Sequence, residues 1–366
     1  MWYYNSPHKI LFGEGAISKL PTLLKEAGYE RVVLFSRNPA RLSETARRAV
    51  EAAGERIVER IEGIAPEPDT RDIEAIAKKL RNIPFDAAVA IGGGSVIDTA
   101  KAVSAVCANG CGIEDLAEGR TGLHAVIPLI AVPTTSGTGS EVTRAAALTH
   151  NGNKQPIFDD TLYPAISLID PELTYSCPAS VTASCGLDVL SHAAESLMHR
   201  QANPVSESLA KEAIRRCFAG LERCCADPGD REARRFMSEA SMLAGMAIAA
   251  SGCTASHACS YLLSSQYRIP HGEACAFTLD KLIRLCLGHD GRFHAIAAEL
   301  GMADGWALAD RVENLKAAVG LRKTLAEMGI PEEDRGRLIE AGYASKVLKN
   351  HYFEITRADV ETLFEE

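Results

Sequence analysis

Up to about residue 170, short apolar runs alternate with stretches whose apolar positions recur every three or four residues. Residues 31–36 (RVVLFS), 56–61, 85–91 (FDAAVAI), 125–132 (AVIPLIAV) and 165–169 predict strands. Residues 42–53, 70–82 and 95–106 predict helices between them, with Leu42, Ala46, Ala49 and Ala53 on one side of the first. The strand runs are apolar at successive rather than alternate positions, as strands buried on both faces are. Strand following helix in this rhythm predicts a parallel sheet covered by helices. From Ser180 onward the helical period dominates, over 181–198, 204–226, 232–250 and 309–328. The Pro171–Pro178 stretch reads as a hinge. The expected organisation is an α/β domain over 1–178 and a helical domain over 179–366.

A length of 366 residues fits two such domains. The net charge of −9, with no block of lysine and arginine, argues against a nucleic-acid backbone as partner. No apolar run approaches the ~20 residues that cross a bilayer, so no membrane association is expected. Met1–Ile10 lacks the apolar core of a signal peptide, and a cytoplasmic location is the expectation. The eleven cysteines form no CxxC pair and no disulfide framework. They read as buried thiols. Cys185, Cys253, Cys259 and Cys275 fall close in sequence to the metal candidates below. They are expected to confer oxidation sensitivity rather than to act as ligands.

Candidate chemistry enters at Ala88–Lys101 (AVAIGGGSVIDTAK), where a strand runs into three glycines and then a helix. Glycines let an anion approach the backbone, and a helix amino terminus offers unpaired N–H groups and the positive end of a dipole. This is a phosphate cradle, or a tight turn without a ligand; it is not the GxGxxG fingerprint. A second polar run, Pro133–Glu141 (PTTSGTGSE), follows the next strand. Thr134, Thr135, Ser136, Thr138 and Ser140 place hydroxyls at a strand's carboxyl end, where open α/β sheets bind ligands. The alternative is a surface loop.

Asp188 and His192 stand four apart in a predicted helix and so share a face. Carboxylate and imidazole both suit Fe²⁺ or Zn²⁺; an exposed side-chain hydrogen bond is the plainer reading of the pair. His257 lies in TASHACSY, and His271 in IPHGE beside Pro270 and Gly272, among small residues that leave room for a ligand sphere. Either histidine alone reads equally as a satisfied buried ring. The remaining histidines sit among polar neighbours or near loops, and His199 reads as a helix-end residue.

Five stretches together resemble the iron-type (group III) alcohol dehydrogenases: PHKILFGEGA (7–16), GGGSVIDTAKAV (92–103), PTTSGTGSEVT (133–143), GLDVLSHAAES (186–196) and IPHGEA (269–274). The resemblance implies a nicotinamide-dinucleotide-binding α/β domain followed by a helical metal- and substrate-binding domain, the two-domain plan also found in dehydroquinate synthases. It implies one divalent metal, commonly Fe²⁺ and sometimes Zn²⁺, on Asp188, His192, His257 and His271. It implies that NAD or NADP binds with its pyrophosphate on Gly93, Gly94 and Ser95, and with Asp98, Thr134, Thr135, Thr138, Ser140 and Lys154 along the cofactor. Reduction of a small aldehyde would then proceed by hydride transfer, with the metal as Lewis acid on the carbonyl oxygen. Homo-oligomers, often dimers, are also implied.

Two positions depart from the family pattern. Many members carry a second histidine one turn after the first of the late pair; here Tyr261 stands there, either to donate a proton to the alkoxide or to shape the pocket. NAD-preferring members often have an acidic residue after the second strand, whereas this chain reads Phe35-Ser36-Arg37-Asn38, which leans toward tolerance of NADP. The HACSY segment resembles a branch that includes reductases of phosphonoacetaldehyde and sulfoacetaldehyde. Arg144, Lys154 and Arg268 are candidates to receive such an anionic head. A short-chain alcohol or 1,2-diol dehydrogenase is the neighbouring reading, and a dehydroquinate-synthase-type lyase a more distant one. A metal-stabilised scaffold without turnover is the reading least favoured by two phosphate-type loops.

Overall fold

Residues 2–365 are described by the computed structural model. Six strands, β1 (Lys9–Phe12), β2 (Val32–Ser36), β3 (Ile57–Ile61), β4 (Ala87–Gly92), β5 (Leu129–Pro133) and β6 (Ile166–Ile169), form one parallel sheet in the order β1–β6–β5–β4–β2–β3. Its helices are α1 (Leu20–Glu26), α2 (Glu44–Ala53), α3 (Thr70–Leu80), α4 (Gly94–Asn109) and α5 (Ile113–Ala117). Alternate residues of each central strand enter different cores. Val33, Phe35, Ala88, Ala90 and Ala131 pack with Ile73 and Ala77 of α3 and Ile97, Ala100 and Val103 of α4. Val32, Leu34, Val89, Ile91 and Val132 pack with Leu23 and Leu24 of α1 and Ala49 and Val50 of α2. This double burial is why the strand runs are apolar throughout.

The sequence of strands changes direction at β2, which has β3 on one side and β4 on the other. Such switch points, at strand carboxyl ends, are where doubly wound sheets bind ligands. Ser36, at the end of β2, pairs with Ile91, and Gly92 pairs with Pro133. The two polar loops after β4 and β5 therefore start side by side.

The second unit runs from residue 178 and includes Trp2–Tyr4; residues 5–177 form the first. Its helices are α6 (Ala179–Met198), α7 (Pro204–Ala226), α8 (Arg231–Ser251), α9 (Ala255–Ser265), α10 (His271–Phe277), α11 (Leu279–His289), α12 (Arg292–Glu299), α13 (Gly305–Ala318), α14 (Arg335–Ala344) and α15 (Arg357–Leu363). α6 is buried from Thr182 to Met198 except at Cys185, with α7, α8 and α10 packed around it. No single helix among the described residues is long and apolar enough to cross a membrane.

Some elements differ from the pattern-based expectation. The fifth strand begins at Leu129 rather than Ala125, since Pro128 has no N–H to give to a ladder. The Ala125 carbonyl instead accepts from the Asn109 side-chain amide at 2.7 Å. The helix expected over 309–328 ends at Ala318, and Gly320 turns the chain at φ 75°. β1 was not expected at all; its side chains are only partly covered, so its pattern is weak.

Candidate functional site

On α6, Asp188, His192 and Glu195 occupy positions i, i+4 and i+7 and so line one face. All three are buried, as is His257 near the start of α9, while His271 opens α10 and is partly covered. The structure brings the four expected ligands together. His192 Nε2 lies 3.7 Å and His257 Nε2 4.0 Å from Asp188 Oδ1. The rings of His192 and His257 stack at 5.0 Å, and His271 meets His257 edge-on at 5.3 Å.

These donors fit a divalent cation. Separations of 3.7–4.0 Å are too long for hydrogen bonds and suit two ligands that share an ion. Asp188 Oδ1 is buried and receives no hydrogen bond. Burial alone would push its carboxyl up, but His192, His271 and His257 outweigh that and hold it below the usual range, as a carboxylate.

The residues behind the donors orient them. His257 Nδ1 bonds to the Glu195 carboxylate, which also accepts from Thr254 N, Thr254 Oγ1 and His257 N, each at 3.1 Å. With Nδ1 engaged, Nε2 faces Asp188. Ser264 Oγ lies 3.5 Å from His271 Nδ1, which likewise leaves Nε2 for the centre. Gly272 lets α10 lie directly on α6: a Cβ there would stand 1.9 Å from the Ser184 carbonyl oxygen and 2.8 Å from Asp188 Cβ. Glu195 escaped the sequence reading, although its place on the Asp188–His192 stripe marks it. Four donor atoms, one each from Asp188, His257, His271 and Cys275, lie within 4.8 Å of one another. Tyr261 sits one turn after His257 on α9, and burial raises its phenol above the usual value, so it keeps its proton.

In the α/β unit, α4 starts at Gly94 with Gly93 as its amino-terminal cap, and no side chain caps it. Its first N–H groups are therefore available to an anion. The two polar loops pack against each other: a Cβ on Gly93 would meet Thr135 Oγ1 at 3.2 Å, and one on Gly94 would meet Thr138 at 2.6 Å. The Thr134 N–H bonds to the Gly92 carbonyl, tying the loops at their origin. Asp98 and Ser140 face each other, Ser140 Oγ donating to Asp98 Oδ1 at 2.5 Å. Ser95 Oγ accepts from Glu67 N, and Lys154 pairs with Glu67 at 3.2 Å. Of the other candidate cations, Arg144 pairs with Asp160 at 3.0 Å, and Arg268 is exposed with φ 55°. Arg37 is exposed directly after β2.

Lys101 is the residue the sequence concealed here. A lysine in a helix reads as solvent-facing, yet this one is 1% exposed. Its ammonium donates to the carbonyls of Ser140, Thr143 and Ala145 at 2.7–2.8 Å. It thereby fastens the hydroxyl-rich loop to α4. Burial lowers its pKa to about 8, against the pull of Asp98 and Glu141, and raises Glu141 to about 7.

A doubly wound parallel sheet with glycine- and hydroxyl-rich loops at its switch point, and a buried Asp–His centre in a helical unit, define a class of metal-dependent dehydrogenases. The chain belongs to the iron-containing alcohol dehydrogenase family: the model for iron-containing alcohol dehydrogenases matches residues 7–171, and that for the family's C-terminal region matches residues 182–366. It is 31% identical to an NAD-dependent methanol dehydrogenase of Bacillus methanolicus over 90% of both chains. It is also 31% identical to a 1,3-propanediol dehydrogenase of Citrobacter freundii, over 91% of this chain and 90% of that one. A solved sulfoacetaldehyde reductase from Bifidobacterium kashiwanohense, in complex with NAD⁺, superposes with a TM-score of 0.93 at 34% identity and covers 100% of this chain and 98% of that one.

Proposed function

We propose that this protein is a nicotinamide-linked reductase of a small aldehyde. One divalent ion, Fe²⁺ or Zn²⁺, is held by Asp188, His192, His257 and His271, and NAD(H) or NADP(H) lies on the Gly93–Ser95 turn and the 133–141 loop. The convergence of Asp188 with three imidazoles, at separations suited to a shared ion, carries the reading. Bound there, the ion supplies Lewis-acid polarisation of the carbonyl oxygen and the nicotinamide supplies hydride. The amino terminus of α4 holds the pyrophosphate, and Thr134, Thr135 and Thr138 contact the cofactor. Asp98, Ser140 and Lys154 act on it through the loops they brace. Glu195 fixes the His257 ring. Tyr261, kept protonated by burial, donates the proton that completes the alcohol.

The substrate proposed is a two-carbon aldehyde with an anionic head, sulfonate or phosphonate. Support comes from the HACSY segment and from the likeness to the sulfoacetaldehyde reductase. Arg268, three residues before His271, is the first cation to test for the head group. Arg37, with no acid beside it after β2, supports use of NADPH as well as NADH. A homodimer is the proposed assembly, checked by light scattering.

The test is oxidation of NADH and NADPH by anaerobically prepared, Fe²⁺-loaded protein. Sulfoacetaldehyde, phosphonoacetaldehyde, propionaldehyde and glycolaldehyde are offered in parallel, with His271→Ala as control. Turnover of one anionic aldehyde, lost in the variant, is expected. Turnover of neutral aldehydes alone would overturn the substrate class, and no lasting cofactor oxidation with bound metal would overturn the reductase reading.

A further inference from the structure

The geometry points to Cys275 as a sulfur donor to the same ion, making the centre a mixed nitrogen, oxygen and sulfur site; this rests on the metal reading above. Cys275 follows His271 by four residues on α10, so the two side chains share a face one turn apart. Its Sγ lies 3.7 Å from His271 Nε2, the nitrogen turned toward the centre. Two adjacent ligands on one five-coordinate ion, with metal–nitrogen and metal–sulfur bonds of ~2.0 and ~2.3 Å at angles of roughly 90–120°, stand about 3.0–3.7 Å apart. A thiol–imidazole hydrogen bond alone would explain that one distance. Thiol–imidazole hydrogen bonds, to His271 and His257, would not explain why the sulfur also lies within 4.8 Å of the Asp188 carboxylate oxygen. The thiol is fully buried, and the cluster contains Asp188 Oδ1, a carboxylate oxygen 3% exposed as a residue and without a hydrogen bond. On metal binding the S–H bond breaks, a metal–sulfur bond forms, and the proton leaves to solvent. A thiolate is a softer ligand than carboxylate or imidazole, so it biases the centre toward Zn²⁺ over Fe²⁺.

Cobalt reports the donor atoms directly. Co²⁺-loaded protein is expected to show visible ligand-field bands together with a near-ultraviolet thiolate-to-cobalt charge-transfer band. Cys275→Ser and Cys275→Ala keep the first and lose the second, while Cys253→Ser, which alters the other thiol near His257, keeps both. Zinc affinity in a chelator competition falls roughly ten-fold or more in Cys275→Ser, and Fe²⁺ affinity falls less. X-ray absorption of the zinc-loaded wild-type protein needs no variant and is expected to show a sulfur shell at about 2.3 Å. Ligand-field bands without charge transfer, charge transfer that survives in Cys275→Ser, or a zinc spectrum without sulfur would each overturn the sulfur donor while leaving the metal reading intact. Failure to bind cobalt at all, or binding undiminished in His271→Ala, would overturn the metal reading and the sulfur donor with it.

Discussion

Each unit of this molecule buries a cluster of charged groups, and the two clusters solve the resulting problem in opposite ways. In the α/β unit, Asp98 and Glu141 are accompanied by Lys101, whose ammonium is also saturated by backbone carbonyls. That cluster contains its own cation. In the helical unit, Asp188 and Glu195 are accompanied by imidazoles, and Asp188 Oδ1 has no hydrogen-bond donor. Buried polar groups are normally satisfied. The first cluster is complete as protein and serves to hold a loop. The second leaves Asp188 Oδ1 without a partner among the described residues, which is what the proposed ion would supply.

Removing one charged group from each should separate the two most clearly. Asp188→Ala is expected to lower kcat/KM by at least about a thousand-fold, since it takes a ligand from a Lewis-acid centre. Its melting temperature should become indifferent to chelator, whereas the wild-type melting temperature falls when metal is withdrawn. Equal chelator sensitivity in both proteins would break the contrast. Lys101→Met acts on the self-contained cluster and takes away the buried ammonium that Asp98 and Glu141 share, leaving Asp98 only the weaker pull of Lys154. A loss of about 3–5 kcal/mol in urea unfolding is expected, together with a raised KM for the cofactor and metal content unchanged. If metal content falls as well, the two clusters are not independent.

Glu195→Gln sharpens the comparison within the helical unit. The amide keeps the shape but weakens the hold on His257 Nδ1, and metal affinity should fall by about ten- to a hundred-fold. The smallest effect concerns His199 and His351, two buried histidines of that unit that bond neither Asp188 nor the other candidate ligands. Burial lowers both pKa values from 6.5 to about 4, so the folded chain keeps these rings neutral. The unfolded chain takes up protons as pH falls below 6.5. The stability these rings confer is therefore intact above that pH and is lost progressively toward about 4. His351→Gln should flatten the fall of melting temperature across that window, and an unchanged slope would sink the assignment.

The same contrast explains what was legible in the sequence. The sheet announced itself because β2, β4 and β5 are buried on both faces and therefore apolar throughout. The proposed ligands were legible as candidates because Asp188 and His192 are four apart on a helix and because the family motifs carry all four. Lys101 was not, since a lysine's burial depends on three carbonyls from a distant loop. Cys275 and His257 are eighteen residues apart, and only the packing of α9 with α10 makes them neighbours. Glu195 was in view on the same stripe but has meaning only once His257 faces it. Pattern shows which face of an element is buried; it does not show which partner a buried polar group finds.

Gly272 has a consequence for how this centre can change over time. At that point α6 and α10 touch through main chain, with no side chain between them to shorten or lengthen. The distance between Asp188 and His271 is thus a fixed gauge, independent of the residues that clothe the helices. Side chains around the centre, such as Tyr261, can be exchanged by single steps without moving the two helices. The gauge itself offers no such gradual route, because even the smallest added side chain at 272 drives the helices apart and opens every donor separation at once.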